Sequence, residues 1–127
     1  MCADFSPVDK IVATGSTDMT VRLWSLDDFS CVKKLEGSDS SVCSLAFISG
    51  HQLAAGYSSG LIKIWSISDN ITLLDLEGHD EKVWTLAVNE NNDIVSGDSE
   101  GSFIFWKNTT NEEKQQLKQE MLDQKQE

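Results

Sequence analysis

Three tryptophans, Trp24, Trp65 and Trp106, stand 41 residues apart, and Gly15, Gly56 and Gly97 keep the same interval. Gly37 and Gly78 repeat it again. A period of this length means stacked copies of one supersecondary unit, none of which can bury its apolar faces alone.

Overlaying the copies gives the strands. Residues 11–15 fall on 52–56 and 93–97, and residues 20–24 fall on 61–65 and 102–106. Between these runs lie short polar or glycine-bearing segments, Ser16 to Met19, Tyr57 to Gly60 and Asp98 to Gly101, suited to hairpin tips. Two further matches, 42–47 with 83–88 and 31–35 with 72–76, complete the unit. Each unit then holds four strands of about 5–6 residues, an ordinary strand length. Phe5 precedes Phe47 by 42 residues, so the hairpin from Ser6 to Lys10 is one residue longer than its counterpart.

The first three strands of each unit are apolar on both faces and the fourth is more polar. A sheet wedged between two neighbouring sheets requires this pattern, since only its outer edge meets water. Four-stranded units at this period, each closing on a Trp, describe β-propeller blades.

Composition narrows the functional classes. The 127 residues are 39% hydrophobic, and no apolar run approaches membrane-spanning length. The start, Met1-Cys2-Ala3-Asp4-Phe5, lacks the basic residues and apolar stretch of a secretory signal. Cys2, Cys31 and Cys43 form an odd set without Cys-x-x-Cys spacing, so they are expected as buried thiols of a reducing compartment. The expectation is therefore a protein without cofactor or metal, and without a membrane association. Net charge is −11, with no cluster of Lys and Arg that would suit phosphates. Any association with RNA is expected to be indirect, and basic protein partners are favoured by long-range attraction.

These residues resemble the WD40-repeat family. Gly78-His79 is similar to the family's Gly-His signature, and Leu23-Trp24-Ser25 and Ile64-Trp65-Ser66 are similar to its Trp-Asp ending. The resemblance implies an all-β fold, a partial WD40 β-propeller of about 2.7 four-stranded blades and eleven strands, followed by a C-terminal α-helix. Residues 1–108 would form the propeller part, as blades 1–36, 37–77 and 78–108, and residues 109–127 a helical connector. The leading blade reads as truncated, so the remaining blades of its own propeller are expected as partners.

The resemblance also implies a buried polar network of His, Ser or Thr, Asp and Trp in each blade. The third blade matches as His79, Ser96 and Trp106, with Glu100 in place of the Asp. In the first, Thr14, Asp18 and Trp24 match, and the second keeps only Trp65. A His, a Ser and an acid also invite a hydrolase reading. Their spacing repeats with the blade, however, and a triad needs an exposed nucleophile and an oxyanion site. The expectation is a scaffold and no enzyme, with His51 a solvated hairpin residue.

Family propellers bind proteins on the flat face of the disc, which places the candidate surface at Thr17, Ser58, Lys82, Trp84 and Ser99 on the His-bearing side. A Trp at the head of an inner strand is either an exposed anchor or packed under a loop. Within the family, Asp27 to Cys31, Phe47 to Leu53, Asp80 to Trp84 and Phe105 to Glu113 are similar to the last blades of a tandem-propeller member. That member serves processing of the precursor of small-subunit ribosomal RNA. The implied setting is a large complex of protein subunits in the nucleus and nucleolus. A WD-repeat adaptor of a signalling or ubiquitin-ligase complex, in the cytoplasm, is the alternative.

The tail changes character. Thr110-Asn111-Glu112-Glu113 reads as a capping box and the residues after it are good helix formers. Leu117, Met121 and Leu122 are too few for a docking stripe, and the Lys114/Lys118 and Asp123/Glu127 pairs repel. A frayed, exposed helix is the expectation.

Overall fold

A computed structural model describes residues 2–37, 40–49, 51–109 and 116–120. Within them the chain forms twelve strands in three four-stranded antiparallel sheets. The first sheet runs β1 (Cys2–Phe5), β2 (Ile11–Gly15), β3 (Val21–Ser25) and β4 (Cys31–Leu35). The second runs β5 (Val42–Phe47), β6 (Gln52–Tyr57), β7 (Leu61–Ser66) and β8 (Ile71–Glu77). The third is β9 (Val83–Val88), β10 (Ile94–Asp98), β11 (Phe103–Thr109) and β12 (Gln116–Glu120), again in chain order across the sheet. This is an all-β architecture that fits part of a propeller.

The sheets meet through their leading strands: β5 touches β1 and β2, and β9 touches β5 and β6. Residues opposite one another in a ladder share a face, so the 2-residue period sorts each strand cleanly. In the middle sheet both faces are covered. Leu53, Ala54, Ala55, Ile62 and Ile64 are all essentially removed from water, although they point alternately to opposite sides. The outer strand β8 meets water, with Ile71, Leu73, Asp75 and Glu77 exposed along one face. The two clusters beneath this pattern are the two inter-sheet seams. One joins Ala13, Val21, Leu23 and Leu35 to Val42, Leu45, Leu53 and Trp65. The other joins Ala54, Ile62, Ile64 and Leu76 to Val83, Ile94, Ile104 and Trp106. Each fully buried Leu or Ile in these seams contributes about 1.5–3 kcal/mol over its exposed state.

Polar contacts fix the stacking register. The Phe47 N–H donates to the Asp4 carboxylate at 2.9 Å, the Ser44 hydroxyl to the Val83 carbonyl at 2.9 Å, and the Val42 N–H to the Ser16 carbonyl at 3.1 Å. Lys33 on β4 donates to the carbonyl of Ile67, beyond β7.

The tail departs from expectation. Over Gln116–Glu120 the chain is a strand paired antiparallel to β11, with Lys107 opposite Lys118, where a helical connector over 109–127 was expected. Residues 110–115 and 121–127, including Asn111, the start of the expected helix, lie outside the described residues. The physical reason is competition. A helix this short is marginal in water, whereas the outer edge of β11 offers a ladder of unpaired N–H and C=O groups. The strand count rises from eleven to twelve, and the third sheet gains the outer strand that the others have. All three cysteines are free, but Cys31, expected as buried, is exposed at the start of β4, while Cys2 and Cys43 are half-buried.

Candidate functional site

The polar core of the third sheet is built on one seam. His79 is in the segment between β8 and β9, Ser96 in the middle of β10 and Trp106 opposite Ile94 on β11. The Trp106 indole N–H donates to Ser96 Oγ at 2.8 Å, and Ser96 Oγ lies 2.7 Å from His79 Nε2. His79 Nδ1 lies 2.9 Å from the Asp98 carboxylate. An indole can only donate and a carboxylate can only accept. Every group is satisfied if the Ser96 hydroxyl donates to Nε2 and Nδ1–H donates to Asp98. Proton donation then runs in one direction, Trp106 to Ser96 to His79 to Asp98.

The acid is Asp98, not Glu100. Asp98 ends β10 two residues after Ser96, so the alternation of the strand puts both side chains on the side of His79, while the bulge opposite it falls on β9 at Trp84. Its second oxygen accepts the backbone N–H groups of Glu100 and Ser102, at 2.9 and 3.0 Å. Glu100 is exposed in the hairpin and contributes that N–H alone. Burial pushes the Asp98 carboxyl up, but the bonds from His79, Ser102 and Glu100 outweigh it and hold the group below the usual carboxylate range.

The other two sheets keep reduced versions. In the first, the Trp24 indole N–H donates to Thr14 Oγ1 at 2.9 Å. Asp18, expected in this network, instead folds the hairpin tip: it accepts the Thr20 hydroxyl at 2.6 Å and pairs with Arg22 at 3.6 Å. The residue at the register of Asp98 is Ser16, whose hydroxyl accepts the Asp18 N–H. In the second sheet, Trp65 is not left to packing alone. Its indole N–H donates at 3.3 Å to the hydroxyl of Tyr57, which is 1% exposed and stands 41 residues before Asp98. Tyr57 was missed because the family pattern asks for Ser or Thr two residues earlier, where this sheet has Ala55. The repeat register was the signal that could have found it.

Ser96, His79 and Asp98 have the connectivity of a hydrolytic triad, yet Ser96 is 0% exposed and its oxygen is held by Trp106. No substrate can reach it, so the arrangement pins loops. Among the described residues no group of three or more His, Cys, Asp or Glu side chains is placed to hold a metal ion.

The loops it pins carry the candidate surface. The Ser99 N–H donates to the Lys82 carbonyl at 3.0 Å, the Ser58 N–H to the Ser41 carbonyl at 2.9 Å, and the Ser41 hydroxyl reaches the Thr17 carbonyl at 3.4 Å. Gly60, at φ +96°, lies so close to the backbone carbonyls of His79 and Glu81 that a Cβ would collide. One hairpin therefore rests on the segment that presents His79. Thr17, Ser58, Ser99 and Lys82 thus share one end of the stack, tied through backbone bonds. Trp84 follows Lys82 at the bulge, between the pairs Val83–Asp98 and Thr85–Gly97, and is 59% exposed. Its counterpart Cys43, at the equivalent bulge of the middle sheet, is half-buried. His51, by contrast, is solvated in its hairpin, where its backbone N–H donates to the Ser49 hydroxyl and its carbonyl accepts the Ile67 N–H.

The family model for the WD domain, G-beta repeat, matches residues 1–25, 29–66 and 71–107, well over half of the chain. Its segments are offset from the sheets by one strand: 29–66 takes β4 of the first sheet with β5, β6 and β7, and 71–107 takes β8 of the second with β9, β10 and most of β11.

Proposed function

We propose that this chain, which belongs to the WD40 family, is a non-enzymatic scaffold for protein–protein assembly whose docking face is the His79-bearing end. Family membership supports protein partners in general. The observation that carries the docking face is Trp84: a large aromatic side chain, 59% exposed, on a bulge next to Lys82 and a buried hydrogen-bonded network. Rigid, amphipathic aromatics of this kind supply the dominant contacts of protein interfaces. The hairpin tips at Thr17, Ser58 and Ser99 provide a polar rim.

The finer reading rests on resemblance. The segments from Asp27 to Cys31, Phe47 to Leu53, Asp80 to Trp84 and Phe105 to Glu113 are similar to the final blades of a tandem-propeller protein. It is the transducin-beta-like subunit of the U3 small nucleolar ribonucleoprotein, or small-subunit processome. On this reading the chain works in the nucleolus, in pre-ribosomal RNA processing, and touches RNA only through protein subunits. Its acidity supports the indirect contact.

Affinity capture from nucleolar extract with the tagged chain and its Trp84→Ala variant tests both levels. Processome subunits should be recovered with the native chain and fall by about tenfold with the variant, the loss of one anchor. Recovery of ubiquitin-ligase or signalling subunits would replace the processome reading with the adaptor one. Equal capture by Trp84→Ala would remove the docking face from this end.

A further inference from the structure

Phe29 lies in the hairpin between β3 and β4, takes φ 59°, and is 73% exposed. The middle sheet has Asn70 at the same place, 41 residues later, at φ 60°. The turn itself demands a left-handed residue there. The Phe29 N–H donates to the Ser25 carbonyl at 2.8 Å, and the Asn70 N–H to the Ser66 carbonyl at 2.9 Å. Asparagine enters that region readily, whereas a bulky aromatic residue in it is a costly outlier. Burial does not offset the cost, since most of the ring meets water. The flank of the first sheet does not account for the exposure either: Asn70 is exposed too, and its sheet has a neighbour on each side. The fold therefore supplies no reason for an aromatic ring at this position.

The ring is held on a pinned turn. The Asp27 N–H donates to Ser25 Oγ at 3.1 Å, and the Asp28 carboxylate accepts the Ser30 N–H at 3.2 Å and its hydroxyl at 2.8 Å. The Leu26 N–H donates to the Lys10 carbonyl at 2.9 Å, which ties this hairpin to the one between β1 and β2. That second hairpin presents Val8, 70% exposed, over a turn in which Ser6 Oγ accepts the Val8 and Asp9 N–H groups. In an antiparallel meander both hairpins fall at the end of the stack opposite the β2–β3 tip, and so opposite His79 and Trp84.

Charge identifies the occupant. The two hairpins carry Asp9, Asp27 and Asp28 against one cation, Lys10, which pairs with Asp27 at 3.7 Å. Both side chains of that pair are over 70% exposed, so it is weak and Asp27 can exchange its partner. Asp69 and Glu90 extend the negative charge along the neighbouring hairpins. Such a surface repels phosphates and attracts a cation. A guanidinium is the cation that also stacks flat on an exposed ring while donating a forked pair of bonds to a carboxylate. Phe29 follows Asp27 and Asp28 directly, so ring and carboxylates are within reach of one side chain.

We infer that this end of the stack is a second docking surface, which takes an arginine-bearing segment of a partner protein, with Phe29 as its aromatic platform and Asp27 and Asp28 as its carboxylates.

Fluorescence anisotropy on the full chain tests this, with a labelled peptide of alternating Gly and Arg and the matching Gly–Lys peptide as probes. The Arg peptide should bind, the Lys peptide should bind several-fold more weakly, and added salt should weaken both. Phe29→Asn introduces the residue that the middle sheet uses, so it should keep the fold and raise the melting temperature, yet weaken the Arg peptide by about fivefold. Trp84→Ala, at the other end, should leave peptide binding unchanged, which separates this surface from the docking face proposed above. An Arg peptide that does not bind, or that binds Phe29→Asn as tightly as the native chain, overturns the inference. Loss of binding in Trp84→Ala in place of Phe29→Asn overturns it equally. A lowered melting temperature in Phe29→Asn would assign the ring to the fold and also overturn it.

Discussion

Replacing Ser96 with Ala tests whether the buried relay holds the third sheet together. The side chain is 0% exposed, and its one oxygen serves two partners, the Trp106 N–H at 2.8 Å and His79 Nε2 at 2.7 Å. Alanine keeps nearly all of the volume, so the cost is electrostatic rather than a cavity. Two polar groups, on side chains 2% and 8% exposed, lose their partner at once. Each buried orphan costs about 1–3 kcal/mol, so the change should cost about 2–5 kcal/mol. Thr14→Ala in the first sheet is the internal comparison. It breaks one bond, from Trp24, at a half-buried site where water can replace the hydroxyl, and should cost about 1 kcal/mol or less. Urea unfolding followed by circular dichroism, at a fixed protein concentration, separates the two. With slopes of about 1–3 kcal/mol per molar, Ser96→Ala should lower the midpoint by about 1–3 M and Thr14→Ala by well under that. Equal shifts would refute the relay as the source of stability.

Asp98 sets the acid limb of stability. Its folded-state pKa is lowered, so its contribution is complete above the unfolded value of about 3.9 and is lost as pH falls through the folded value. Asp98→Asn should flatten stability against pH in this acid range, read as urea midpoints at successive pH values, and an unflattened curve would remove Asp98 as a source of acid sensitivity. Met19 takes φ 75° at the hairpin position where the other two sheets have Gly60 and Gly101, at φ 96° and 89°. The left-handed conformation costs a non-glycine residue about 1–2 kcal/mol, partly offset by glycine's freer unfolded state. Met19→Gly should therefore raise thermal stability by about 0.5–1 kcal/mol, and a lower melting temperature would show that the methionine packs usefully. Tyr57→Phe should cost about 1 kcal/mol by leaving the Trp65 indole without its acceptor, and an unchanged urea midpoint would deny that bond any weight.

The repeat was legible because stacking imposes it. A blade that must match its neighbours on both faces repeats its apolar positions, and eleven strands could be placed from Trp and Gly spacing alone. The twelfth could not. Gln116–Glu120 has few apolar residues and good helix formers, and its strand state comes from the free edge of β11, a tertiary cause that no local propensity records.

The network shows a subtler limit. His79, Ser96 and Trp106 were legible because each has a fixed place on the blade. The acid was misassigned because both Asp18 and Glu100 fall in the polar hairpin tip, where a motif search expects one. What decides the matter is the residue two places earlier, which in the third sheet falls by strand alternation on the same side as Ser96. That position holds Ser16, Tyr57 and Asp98, a hydroxyl, a phenol and a carboxylate. Their chemistry differs, so residue type conceals the equivalence. Their geometry does not: in the second sheet the indole bonds directly to Tyr57, and in the third it reaches Asp98 through Ser96 and His79. What the three sheets share is a hydroxyl acceptor for each buried or half-buried indole N–H, Thr14 for Trp24, Tyr57 for Trp65 and Ser96 for Trp106, and only the third sheet extends it to a histidine and a carboxylate.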